Sequence, residues 1–238
     1  MDDRIDREYY TSRRSELLQA FDQDVGCWRS TLARRHGDEF ANAIVRQSRD
    51  EFEALIGEIP YIGGDENHLT ENLVESARCL ALYRAMKARG KRVEETGRAL
   101  YEAIEQSNSR PTPPIPPGKR LSPEGLMRRR RERARRSQER RYPEDWVYEF
   151  VEGDGRTFDY GNDFTECAVQ KFYRGKRADE FLPFFCFLDF PRSKAAGLGL
   201  TRTQTLAEGH EKCNHRFKAG RAAEEEWPPR FLRREQET

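Results

Sequence analysis

The 238-residue chain is expected to fold as an α+β protein, an N-terminal helical region packed on a C-terminal antiparallel sheet with helices. Three observations predict this. Up to about residue 104, apolar residues recur at three- and four-residue steps, the period of a helix face. A five-proline stretch, RPTPPIPPG, then interrupts the chain at 110–118. Beyond residue 142, alternating β-formers and turn residues take over.

Leu17, Leu18, Phe21, Val25, Trp28 and Leu32 form one apolar stripe, and Phe40, Ile44, Val45, Phe52, Leu55 and Ile56 a second. Pro60 to Gly64 ends that periodicity. A third helix is expected from near Glu66, carrying Leu69, Leu73, Ala77, Leu80 and Met86, with Gly90 as its stop. Asp65 and Asn67 are read as caps, and His68 as a surface residue at the helix start. Val93 to Ile104 predicts a short fourth helix.

Proline fixes φ and lacks an amide donor, so 110–118 is read as an extended connector. Leu121 to Arg141 follows, with nine arginines from position 128 onward, and is read as an exposed helix or a disordered insert. WVYEFVEG, a turn at Asp154-Gly155 and RTFDYG predict a hairpin. Phe164 to Tyr173 has helical spacing. Glu180 to Ala196 is apolar and is read as helical around Pro183. Leu200 to Leu206 and Lys212 to Lys218 are read as two strands joined by a turn at Glu208-Gly209, and the charged tail from Arg221 as frayed.

Charged residues make up 36% of the chain, above the roughly 25% of an average domain. Yet the net charge is only +1, which argues against a polyanion binder overall. The Arg run admits nucleic acid or an anionic membrane, but without zinc-finger spacing, an RNP motif or a Gly-rich phosphate loop the reading is a solvated segment, with no nucleic acid expected. No apolar run reaches the ~18 residues of a membrane span, and MDDRIDREYY has no apolar signal region. Five cysteines without a CxxC pair argue against disulfides or structural zinc and fit the cytoplasm.

Several motifs, in order, carry a resemblance. FDYGNDFTECAVQKFYR leads a Gly-ending strand into a helix through a Glu-Cys step, FLPFFCFLDF supplies a Leu-Pro…Cys…Asp element, and LTRTQTLAEG is followed by CNHRF. Over about seventy residues, roughly Trp146 to Phe217, the chain resembles the L-2-amino-thiazoline-4-carboxylic acid hydrolase family, whose closing pair usually reads R-T-x-T-L-A-x-G and then C-D-F-R-F. Asn214 stands where the family has Asp and His215 where it has an aromatic, departures that point to altered substrate preference or lost activity. The chain divides into a helical region (1–107), a Pro-rich linker and Arg-rich insert (108–143), an α+β hydrolase-like region (144–220) and a charged tail (221–238).

The resemblance implies cofactor-free hydrolysis of a C–N bond in a small cyclic amidine or amide. The reacting carbon needs a nucleophile, a proton donor for the leaving atom and donors for developing charge. Cys213, in the closing motif, is the first candidate nucleophile; a free cysteine is otherwise a small buried hydrophobe. Cys167, near an expected helix start that would lower its pKa, is the second, with Glu166 as general base. Cys186 reads as core. Asp189 is a candidate for holding a base or a substrate amine, or for an ion pair with Arg202. Arg202, Thr203 and Thr205, on the expected strand, and Asn214 and Arg216, in the closing motif, are candidate substrate contacts, with Arg202 or Arg216 binding a carboxylate. His210, Cys213 and His215 have a spacing open to a metal, but without a further ligand cluster none is expected. The partner implied is a small-molecule substrate. The alternative is a binding or regulatory protein without turnover on the same scaffold. The sequence does not address oligomeric state.

Overall fold

A computed structural model describes residues 3–108, 122–222 and 224–235. Its elements, in chain order, are α1 (Asp3–Ser12), α2 (Arg14–His36), α3 (Asp38–Ile56), α4 (Thr70–Lys87), α5 (Val93–Asn108), α6 (Pro123–Ser137), β1 (Val147–Glu152), β2 (Tyr160–Glu166), α7 (Ala168–Gly175), α8 (Leu182–Phe187), α9 (Asp189–Ala195), β3 (Leu198–Thr201), β4 (Cys213–Ala219) and α10 (Arg230–Glu235). This is an α+β protein with its helices leading and a four-stranded antiparallel sheet in the C-terminal half. The connector expected at 110–118 lies outside the described residues. Among the described residues no helix is long and apolar enough to cross a membrane.

The chain forms two compact units. The first comprises residues 1–107 and 168–188, the second 108–167 and 189–238. In the first, α2 buries Leu18, Phe21, Val25 and Leu32 and α3 buries Ile44, Phe52, Leu55 and Ile56 of the predicted stripes, while Leu17, Trp28, Phe40 and Val45 are half-buried, and Phe21 stacks on Phe52 at 5.5 Å. Helix α4 has small and apolar residues all round, so it is buried on nearly every side, as a central helix must be. Its one buried cation, Arg78, pairs with Glu71 and Asp24. Tyr173 of α7 is fully buried, stacks on Phe181 at 5.6 Å and donates its hydroxyl to the Ser76 carbonyl at 2.9 Å.

Several boundaries differ from expectation. Helix α1 was hidden by its charge. Helix α4 starts at Thr70 rather than Glu66, because a short 3-10 turn at Gly64–Glu66 intervenes. There Asn67 accepts the Leu69 amide in the turn ahead of the helix and Asp65 accepts from Tyr9 and Arg13, so neither caps α4 as expected. The apolar stretch 180–196 is two short helices, with Asp189 opening the second.

The second unit holds the sheet, in the order β1-β2-β4-β3. The Phe164 region is strand, not helix: β2 pairs on both sides, and two ladders outweigh an accidental helical spacing. Register puts Tyr160, Asn162 and Phe164 of β2 beside Phe217, His215 and Cys213 of β4 on one face. That face carries α6 over β1 and α9 beside β3. The Arg-rich segment is thus a packed helix. Ser122 caps it, Ala134 is buried, Ser137 bonds the Tyr148 backbone, and the Arg130 guanidinium lies 4.0 Å above the Tyr160 ring. The opposite face is charged, with Lys212 and Arg216 both at 2.6 Å from the Asp163 carboxylate. The tail, expected to fray, contains α10.

Helix α5 meets α8 at Gly97, where an added Cβ would stand 2.3 Å from the Phe184 ring. Gly97→Ala should therefore destabilise the fold by about 1–3 kcal/mol from overpacking, despite alanine's better helix propensity. A lower urea midpoint at unchanged m-value, followed by circular dichroism, is the expected result; an unchanged or raised midpoint would contradict the packing.

Candidate active site

Strand β4 alternates, so Cys213, His215 and Phe217 face the helix-covered side and Asn214 and Arg216 the charged side. The adjoining chain brings further groups to the covered side. Asp189 opens α9, and Arg202 directly follows β3. The Arg202 side chain is 5% exposed, and its Nη1 donates to Asp189 Oδ2 at 2.9 Å and to His215 Nε2 at 3.2 Å. Its guanidinium also lies 5.1 Å from the Phe190 ring centre. Arg192 Nη1 is 4.0 Å from the other Asp189 oxygen. Asp189, Arg202 and His215 therefore form one polar cluster among aromatic rings, and Cys213 stands two residues from His215 on the same face of β4.

Arginine can only donate, so His215 must accept at Nε2, which places its own proton on Nδ1. Burial, reinforced by the neighbouring Arg202 charge, pushes the His215 pKa down to about 4. The ring is neutral at physiological pH and fixed in one tautomer.

Cys213 is 7% exposed, and its Sγ accepts the Leu206 amide at 3.1 Å. Burial pushes the thiol pKa up, against the opposing pull of that amide and of Arg202. The resting sulfur is protonated and stabilised by one backbone donor. A thiolate there would keep the donor and gain from Arg202.

The other predicted residues sit elsewhere. Arg202, Thr203 and Thr205 are not on a strand: β3 ends at Thr201, because the Asn214 Oδ1 accepts the amides of Thr203 and Gln204 at 3.0 and 2.8 Å. The same Asn214 donates Nδ2 to the Thr203 hydroxyl at 2.8 Å. Thr205 caps the turn at Leu206–Glu208 by accepting the Glu208 amide. Arg216 is spent on Asp163, whose carboxyl it and Lys212 hold below the usual range against the effect of burial. Glu166 pairs with Arg140 at the end of β2. Cys167 is half-buried just ahead of α7, and Cys186 lies in α8 of the first unit. His210 is exposed, and among the described residues no three His, Cys, Asp or Glu side chains are disposed to hold a metal.

His215 is the member of the cluster that sequence reasoning set aside. Its alternation with Cys213 was visible, but its contact with Arg202 was not. The first unit also has a cleft of about 290 Å³, lined by Tyr9, Arg13, Asp65, His68 and Glu71 among others. Tyr9, Arg13 and Asp65 bond one another there, so its central charges are already paired.

The sequence pattern of a family described as L-2-amino-thiazoline-4-carboxylic acid hydrolase matches residues 71–217. That span contains the whole Asp189–Arg202–His215 cluster and Cys213. No curated protein and no solved structure matches the chain.

Two outcomes follow from the cluster. The unfolded chain protonates His215 near pH 6.5, whereas the folded chain resists until about 4. Stability should therefore fall as pH drops through that window, and His215→Gln, which keeps an acceptor for Arg202, should flatten that part of the profile. Melting temperatures across pH 4–7 test this; parallel profiles for the two proteins would refute it. Asp189→Ala leaves a buried guanidinium without its carboxylate. It should cost about 1–3 kcal/mol, below the fully buried range because Asp189 is 37% exposed. Urea denaturation measures the loss.

Proposed function

Because the chain belongs to the L-2-amino-thiazoline-4-carboxylic acid hydrolase family, we propose that it opens a small cyclic amidine of the 2-amino-thiazoline-4-carboxylate type by hydrolysis, with Cys213 as nucleophile. The observation that carries the reading is the convergence of Cys213, Asp189, Arg202 and His215 on one face of the sheet, inside the matched span.

In this reading the Cys213 proton leaves as substrate displaces water from the covered face. Asp189, partly exposed beside the cluster, is the acceptor. His215 is unsuited to that task while Arg202 occupies its Nε2 lone pair. The thiolate adds to the amidine carbon. The ring C–N bond then breaks, and the ring nitrogen leaves as an amine with the proton from Asp189. Water next attacks the enzyme-bound carbon, Cys213 departs and recovers a proton, and the water oxygen ends as the thiocarbamate carbonyl. One water is consumed and the enzyme returns unchanged. The Leu206 amide and Arg202 stabilise the sulfur while it is anionic. Asn214 orients the Thr203 loop beside the cluster rather than touching substrate.

The raised thiol pKa favours a second reading, ligand binding without turnover on the same face. One experiment separates the two. Purified protein is mixed with 2-amino-thiazoline-4-carboxylate, and carbamoyl-cysteine is followed by mass spectrometry together with the freed amino group. Turnover is expected, with Cys213→Ala lowering kcat at least about a hundredfold while the fold persists. Full activity in Cys213→Ala removes the nucleophile assignment. A ligand that raises the melting temperature and is recovered intact supports the binding reading.

A further inference from the structure

Both arginines expected to take a substrate carboxylate are already committed, Arg202 to Asp189 and Arg216 to Asp163. Helix α6 offers others. Arg131 pairs with Glu152, Arg135 with Glu132 and Glu139, Arg136 with Glu132, and Arg140, just beyond the helix, with Glu166. Arg129, Arg130 and Arg133 are different: among the described residues no carboxylate pairs with any of them. Arg133 stands three residues after Arg130 and four after Arg129, so each of the two adjoins it on the helix surface. The Arg130 Nε is buried without a hydrogen-bond partner. Arg133 is partly desolvated beside Tyr148, and the Arg129 and Arg130 charges add to the strain on its cationic form.

Their side of the helix is fixed by two ring contacts. Arg131 lies over Phe150 of the edge strand β1, whereas Arg130 lies over Tyr160 of β2. The Arg130 side therefore points inward, along the face that carries His215 and Cys213. Tyr148, beside Arg133, stands opposite Phe164, which stands opposite Cys213. That is two strand spacings, roughly 10 Å, which a small ring bearing a carboxylate bridges with one contact at each end.

We infer that Arg130 and Arg133, with Arg129 at the rim, are the carboxylate clamp of the substrate, placing its amidine end toward Cys213. The inference rests on the hydrolase reading for the identity of the anion. A carboxylate satisfies the unpartnered Nε, relieves the repulsion among the three charges and matches the planar guanidinium fork. It also explains why these arginines lack the glutamate partners that their neighbours have.

The test uses the full chain, with 2-amino-thiazoline-4-carboxylate and its decarboxylated analogue 2-amino-thiazoline as probes. Arg130→Gln/Arg133→Gln should raise KM for the carboxylate at least tenfold with kcat within about threefold, and leave the poor reaction of the neutral analogue unchanged. Arg131→Gln, on the other side of the helix, should leave both alone. If the double variant melts early, the single Arg130→Lys and Arg133→Lys variants replace it, each expected to raise KM several-fold through loss of the fork. Calorimetric binding keeps the clamp and the hydrolase separable. Without any turnover, binding of the carboxylate but not the neutral analogue, lost in the double variant, still supports the clamp. Equal KM or affinity for the carboxylate in wild type and variant overturns it. So does tight, salt-sensitive binding of a single-stranded oligonucleotide that depends on the same residues while carboxylate binding does not.

Discussion

A guanidinium withdrawn from water must find acceptors, and Arg202 organises its unit by meeting that demand. Its two acceptors come from separate elements, the first residue of α9 and the middle of β4. Satisfying it holds α9 beside the sheet edge and sets the rotamer and tautomer of His215. It also turns the chain inward immediately after Thr201, so β3 is only four residues long. The next two amides then go to Asn214 rather than to a strand neighbour. One buried cation thus decides where a strand ends, which imidazole nitrogen is protonated, and what lies next to the Cys213 sulfur.

The sheet keeps its two electrostatic tasks on opposite faces. Asp163, Lys212, Arg216 and the Asp159–Lys218 pair neutralise one another on one side. The covered side holds aromatic rings, a neutral histidine, a protonated thiol and the buried Arg202 paired with Asp189. Among the described residues, Arg129, Arg130 and Arg133 of α6 have no carboxylate partner. An environment of this kind keeps a thiol unreactive in the resting state and strengthens every charge interaction made once substrate excludes water. The usual aspartate of the closing motif would stand at position 214, on the opposite face from Cys213. The asparagine there is used as a loop brace, taking two amides and giving one to a hydroxyl, and its neutral side chain suits that role.

Legibility varied with the origin of each feature. The helices at 14–36, 38–56 and 93–108 were readable because burial imposes a 3.6-residue period on long segments. Helix α4 was readable as apolar, though being buried all round it shows little periodicity. The hairpin turn at Asp154 was readable because the aspartate side chain itself bonds the Arg156 and Thr157 amides. Strand β2 was misread past Phe164, since its conformation is set by partners on both sides rather than by its own residues. Arg128 to Arg141 looked solvated because its charge dominates the count, while its attachment depends on one alanine, one serine and the flat faces of two rings. At the site, Asp189, Arg202 and Cys213 stood out as polar or reactive residues in apolar or patterned surroundings. His215 did not, because nothing local distinguishes it from an aromatic packing residue.

The sequence alone determined the fold class, the positions of most helices, the family pattern and a short set of chemically capable side chains. Each of these depends on local periodicity, on backbone chemistry or on the order of motifs along the chain. Which carboxylate each arginine meets, which face of β4 each side chain takes and whether the thiol carries its proton were decided only by the tertiary structure. Those properties arise from register and burial, which bring together residues as distant in sequence as Asp163 and Arg216. Charges separated along a chain acquire partners only when strands align and water is displaced.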